Sequence, residues 1–179
     1  MAVTANFGWA KPADREQFLE NLLQQILDDM DSDLSLSVRV SHSAAQSIPN
    51  NAWTSLAFNT EAHDRGGFHD TAVNNSRLTV PAAGVYAGRG QVVFAASSAG
   101  NVRGVRGRVN GVNTNLVGIH QQGVFASFYT VVDVSLAAAL YAQGNYVELQ
   151  AYQDSGGALS TVADAAAGFF STMSLWRVG

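Results

Sequence analysis

The chain has 179 residues, a net charge of −4 and 47% hydrophobic residues, enough for one domain with a sizeable core and an appendage. It contains no cysteine, which excludes disulfides, thiolate metal sites and thiol nucleophiles, and a single lysine, Lys11. The opening MAVTANFGWAKPADREQF lacks the apolar centre of a secretory signal, and no apolar run approaches the roughly 18 residues that cross a bilayer. A chain made in a reducing cytosol, with no membrane insertion, is expected.

Charge and glycine both divide near residue 34. Residues 1–33 hold seven acids and two basic residues, a net of −5, and the remainder holds seven acids and eight arginines, a net of +1. Gly8 lies in the first part and the other sixteen glycines follow it. Two regions are therefore expected, a tail and helix over 1–33 and a head over 34–179.

In the first region, Pro12 stands where a helix can begin because its missing N–H costs nothing. Asp14 and Glu16 then suit the positive end of the helix dipole. Leu19, Leu23, Ile26 and Met30 step by four, three and four residues, the spacing of a helix-bundle seam, and Phe18, Leu22 and Leu27 widen the stripe. A helix this short is marginal alone, so its apolar face needs a cover. Its own head and copies of itself both satisfy that need; the wide stripe favours a small parallel bundle. Phe7 and Trp9 precede the helix in a stretch too short for a core, and either fold back or anchor the chain in a socket on another protein.

From residue 36 the apolar period changes from 3.6 to 2. Candidate strands are LSVRVSH, AWTSLAF, SRLTV, GVYAGRGQVVFAA, NVRGVRGRV, NLVGIHQQ, VFASFYTVVDVSL, NYVELQAYQ and GFFSTMSLWRV. Turn-forming sets such as PNN, DRGG, PAAG and DSGG separate them. Many short strands with no intervening long helix indicate an all-β antiparallel sandwich, a jelly roll. Alternation places Tyr86, Val92 and Phe94 on one face of their strand, and Arg89 and Gln91 on the other. Val105 and Val109 likewise oppose Arg106 and Arg108. Arg89, Gln91, Arg106 and Arg108, mixed with valine, suit a subunit interface; a solvated face is the alternative.

Catalytic patterns are weak. HDRGGFHD gathers His63, Asp64, His69 and Asp70 without the helical spacing of zinc enzymes, and reads as a polar surface loop. No nucleophile elbow is present, and nothing pairs two of the head's acids across a cleft. The arginines of NVRGVRGRVNG have no interleaved aromatics and the head is barely basic, which argues against nucleic acid. No enzyme and no cofactor are expected. Trp53 and Phe68 are the large side chains in the loops and the candidates for ligand contact at loop tips.

FNTEAHDRGGFHDTAVNNSRLTVPAAGVYAGRGQVVF resembles the globular heads of the complement component-one-q and tumour necrosis factor family. There an Asn- and Gly-rich loop leads to a short strand, a P-x-x-G-x-Y turn and a long central strand; Pro81, Gly84 and Tyr86 match the turn. GNYVELQAYQ and FFSTMSLWRVG resemble the family's last two strands. The resemblance covers roughly residues 36–179, and implies a tight homotrimer with the long strands near its axis. It also makes calcium, on oxygens of Asp64 and Asp70, the favoured ion if any metal is held.

The front, NFGWAKP, is similar to the short N-terminal pieces of bacteriophage fibre and other virion proteins. That likeness implies a virion anchor at Phe7, Trp9 and Pro12. A short trimeric fibre or decoration protein is therefore expected, assembled in the host cytoplasm and fixed to capsid, neck or tail proteins. The alternative is a receptor-binding tip that takes a host surface glycan or protein.

Overall fold

The computed structural model describes residues 12–34, 36–113, 119–124 and 126–179, with side chains of the leading helix described from 15 to 30. The chain divides into two compact units, Met1–Leu34 and Ser35–Gly179.

Among the described residues the first unit contains one helix, α1 (Pro12–Leu34). Phe18, Leu19, Leu22, Leu23, Ile26, Leu27 and Met30 are each at least 42% exposed in the single chain. The last turns hold Asp28, Asp29, Asp31 and Asp33 and no basic residue, which opposes the helix dipole. A helix of this length and composition is marginal by itself.

The second unit is a sandwich of two antiparallel sheets. Its strands are β1 (Ser37–Ser41), β2 (Ser47–Ile48), β3 (Thr54–Ser55), β4 (Thr60–Arg65), β5 (Arg77–Thr79), β6 (Gly84–Phe94) and β7 (Val102–Val109). They continue with β8 (Ile119–Gly123), β9 (Thr130–Tyr141), β10 (Tyr146–Gln153), β11 (Leu159–Ser160), β12 (Ala163–Asp164), β13 (Phe169–Phe170) and β14 (Thr172–Arg177). The first sheet runs β4-β1-β14-β6-β9; the second runs β3-β10-β7-β8, with β5 sharing the β3 side of β10.

Period-2 alternation sends Val38, Val40, Tyr86, Val92, Phe94, Val132, Val134, Met173 and Leu175 inward from the first sheet. Leu78, Val105, Val109, Val147, Leu149 and Ala151 meet them from the second. The inward-facing Gly88 and Gly90 of β6 leave no room for a side chain, and Gly90 is where the second sheet comes close. A Cβ on Gly90 would lie 2.2 Å from Leu149 Cδ1, and one on Gly88 would lie 2.5 Å from the Ser174 carbonyl oxygen. Leu149 thus occupies the volume that a side chain at Gly90 would fill, while Gly88 is crowded by its own sheet.

The turn before β6 is held by side chains. Tyr86 Oη donates to the Ala82 carbonyl at 2.8 Å, and the bare face of Gly84 admits the Arg177 guanidinium, 2.6 Å from where a Cβ would stand. Gly84 and Tyr86 therefore each have a local structural task.

Two expectations need correction. TEAHDR, expected as loop, is the edge strand β4, paired only with β1. It buries no apolar residue, so its alternation leaves no mark in the sequence. The strand expected to stop near Leu136 continues to Tyr141 as β9. A bulge opposite Tyr86 and Gly88 inserts one residue, which leaves Ala137 and Ala138 both exposed and returns Ala139 and Tyr141 to the core.

Gly90→Val is expected to lower stability by about 2–3 kcal/mol through overpacking against Leu149. Gly157→Ala, where a Cβ meets nothing within 4 Å, is expected to stay within about 0.5 kcal/mol of wild type. Urea unfolding of both variants checks the contrast.

Candidate functional site

The candidate residues fall into several places. Phe7 and Trp9 lie outside the described residues, and Pro12 is the first residue of α1. Leu19, Leu23, Ile26 and Met30 follow on that helix, all exposed.

Arg89 and Gln91 stand on the outer face of the first sheet. With Arg39, Thr172, Ser174 and the half-exposed Trp176 they line a shallow hollow of 240 Å³. Arg89 Nη2 contacts Asp133 Oδ2 at 3.3 Å across the β6–β9 pair. Arg106 and Arg108 stand on the outer face of the second sheet, on the far side of the sandwich. The four residues expected together at an interface therefore belong to two different surfaces.

Arg106 is held in place. Its guanidinium carbon lies 4.2 Å from the Trp53 ring centroid and its Nε donates to Gln150 Oε1 at 2.9 Å. Trp53 also packs on Tyr152, ring centroids 5.2 Å apart. Trp53 is thus half-buried on a sheet face beside arginine and tyrosine, rather than at a loop tip.

Phe68 is not at a loop tip either: it is 1% exposed and sits in the core. Asp64 produces this. Its Oδ1 accepts the Gly67 and Phe68 amides at 3.1 and 3.0 Å, and its Oδ2 accepts the His69 amide at 2.9 Å. With Gly66 and Gly67 at φ 126° and 73°, that cap folds the chain back and turns Phe68 edge-on to Tyr86, 5.9 Å between centroids.

The same bonds account for the metal candidates. Asp70 Oδ1 accepts the Val73 and Ala72 amides at 3.0 and 2.8 Å, and these bonds hold its carboxyl below the usual range. His69 Nδ1 lies 2.8 Å from Glu61 Oε1 and its Nε2 lies 3.2 Å from the Asn75 carbonyl oxygen. Among the described residues no three of His, Asp and Glu converge as metal ligands. Asp64 and Asp70 hold loop backbone.

Sequence reasoning missed Arg103, which is fully buried. Its Nη1 donates to the Val102 carbonyl and its Nη2 to the Ala99 carbonyl, both at 2.9 Å, and Nη1 lies 3.5 Å from Asp154 Oδ1. Burial pushes the guanidinium pKa down and Asp154 opposes it. The same Oδ1 accepts the Asn101 and Val102 amides, each at 2.8 Å. Burial raises the Asp154 pKa, but those amides and Arg103 outweigh it and hold the carboxyl below its usual range. Gly100, at φ 78°, admits this carboxylate 2.4 Å from where a Cβ would stand. The clue was parity: Arg103 shares its strand face with Val105 and Val109, not with Arg106 and Arg108.

His42 is also buried. Its Nε2 lies 3.0 Å from the Val162 carbonyl, which can only accept, so Nε2 carries the proton while Nδ1 has no partner. Burial pushes this imidazole below its ordinary pKa.

No protein-family model and no curated protein matches the sequence. Solved structures do. The globular domain of zebrafish complement 1qA protein aligns with a TM-score of 0.57 at 10% identity, over 81% of this chain and 98% of that one. Murine APRIL aligns at 0.56 and 11% identity, over 79% of this chain and 98% of that one. The Eiger TNF structure from S. frugiperda aligns at 0.54 and 11% identity, over 80% and 92%. The fold is a complement-1q/TNF-type jelly roll. At such identities the likeness concerns the fold alone and assigns no residue a role.

Asp154→Ala is expected to cost roughly 3 kcal/mol in urea unfolding, because it leaves a buried guanidinium without its counter-charge. The pH dependence has a defined sign. An unfolded-state histidine takes up its proton near about pH 6.5, before folded His42 does, so stability is full above that pH and falls as pH is lowered through the window beneath it. Asp154 adds a second loss further down, below about pH 4. Unfolding midpoints at about pH 7.5 and about pH 5.5 should differ more for wild type than for His42→Gln.

Proposed function

We propose that the chain is one subunit of a homotrimeric appendage of a bacteriophage particle, a short fibre or decoration protein. On this reading the front segment, with Phe7, Trp9 and Pro12, plugs into a capsid, neck or tail protein. The seam on α1 joins three copies, the outer face of the first sheet brings the heads together, and the jelly rolls point outward. The reading is non-catalytic and uses no cofactor.

The observation that carries it is the apolar stripe of α1, seven side chains exposed in the single chain directly ahead of a jelly-roll unit. Apolar stripes of this width are covered in stable proteins, and identical helices in parallel are the simplest cover. The hollow around Arg39, Arg89, Gln91 and Trp176 supports self-association of the heads, since arginine and tryptophan are enriched where surfaces are buried between subunits. The phage assignment rests on the likeness of NFGWAKP to virion attachment segments. A second reading, a tip that binds a host surface glycan, is favoured by the Trp53–Tyr152–Arg106 group, which lies on the opposite face from that hollow.

Light scattering of the full chain and of a 35–179 truncation tests the assembly. A full chain with the mass of three copies is expected. A truncation that stays trimeric assigns assembly to the heads, and one that falls to monomers assigns it to α1. Two monomers would contradict the proposal.

A further inference from the structure

The outer face of the second sheet carries a charge pattern that its own residues leave uncompensated. In register across β5, β10 and β7 stand Arg77, Glu148 and Arg108; the next rung of β10 and β7 holds Gln150 and Arg106. Three guanidiniums thus face one carboxylate. Arg77 Nε lies 3.9 Å from Glu148 Oε1, and Arg106 is bonded to a neutral amide. Among the described residues Arg108 has no ion-pair partner, and its Nε lacks a hydrogen bond. The repulsion is felt locally: burial first, and then the charge of Arg108, pushes the Arg106 pKa down.

These arginines are also pre-oriented. Arg77 lies on the Tyr146 ring and Arg106 on the Trp53 ring, each 4.2 Å from the centroid. Gly104 makes room for Trp53 to lie against the sheet, where a Cβ would come within 3.1 Å of its Cη2. A guanidinium stacked in this way loses little further entropy on binding an anion.

We propose that this face binds a carboxylated polysaccharide, with Arg106 and Arg108 as the carboxylate holders. Guanidiniums match carboxylates in geometry as well as charge. The exposed Gln121, opposite Gly104 on β8, lies beside them for sugar hydroxyls. At the Arg77 end the face meets a 530 Å³ hollow bordered by His69, Asp70, Asn74 and Tyr146. Asp70 and Glu148 make that end suited to neutral parts of a saccharide and leave the anionic sugars to Arg106 and Arg108.

Single-stranded nucleic acid fits less well, because bases stack on open ring faces and the Trp53 and Tyr146 rings each carry an arginine. A protein partner fits less well too, since the face has no dry apolar centre. The proposal goes beyond the assembly reading, and it rests on the second, glycan-binding reading, to which it adds the chemical class of the sugar.

Isothermal titration of the full chain with a galacturonate oligomer is the test, beside a malto-oligosaccharide of equal length and a thymidine oligonucleotide. Binding of the galacturonate oligomer alone is expected, weakened by salt. Arg108→Gln is expected to weaken it roughly tenfold. Arg65→Gln, an equal charge change at the exposed end of β4, is expected to leave it unchanged. No binding of the galacturonate oligomer, equal binding of the neutral or nucleotide probe, or equal effects of the two substitutions would overturn the proposal. Light scattering of Arg108→Gln separates the two readings. Weakened binding at unchanged mass supports the proposal, whereas weakened binding with a fall in mass overturns it and makes Arg108 an assembly residue.

Discussion

The sandwich depends on the close approach of its two sheets at Gly90. Interior glycines normally weaken a strand, because they cost entropy and pack nothing. Here the missing side chains are the packing: Leu149 descends from the opposite sheet into the space, with Leu136 and Leu175 around Gly88. β6 also pairs along its length with β14 on one side and β9 on the other. Its position therefore sets the register of the first sheet and the spacing to the second. Large side chains toward either end of the strand, Tyr86 and Phe94, fill the core. The two outer sheet faces of the head are placed by this central strand and by β7 and β10 across from it.

Charge is sorted by strand parity into three separate roles. Arg103 points inward and closes the turn before β7 through two backbone carbonyls and Asp154. Arg106 and Arg108, three and five residues further along, point outward on the second sheet. Arg39 and Arg89 face outward on the first. A head of nearly balanced charge thus still presents two distinct basic faces and contains one buried guanidinium. Asp154 shows how tightly such a buried charge is held, since one oxygen serves two amides and the ion pair together.

The parts of this fold that were legible in the sequence are those where burial imposes alternation. β6, β10 and β14 each turn an alternating, mostly apolar set of residues against the core. β4 was not legible, because an edge strand with almost no buried side chain carries no such signal. Phe68 was misplaced for a related reason: its inward turn is made by one carboxylate capping three amides, a tertiary detail that composition does not encode. Arg89 and Arg106 look alike as arginines among valines, and only the sheet order shows that they face opposite ways. Residues remote in sequence but adjacent in space, such as Trp53, Arg106 and Tyr152, had no local pattern to join them.

The helix raises a different physical problem. Its apolar side chains form a wide exposed stripe, and its aspartate-rich end works against it. The proposed association of identical stripes would resolve both difficulties, since buried apolar area offsets an unfavourable dipole many times over. Hydrogen exchange of residues 15–30, followed as the full chain is diluted, tests this most directly. The account predicts amides protected at high concentration and exposed on dilution, with the head's β6 amides protected throughout. Protection of 15–30 that does not change with concentration, or that never appears, would contradict it.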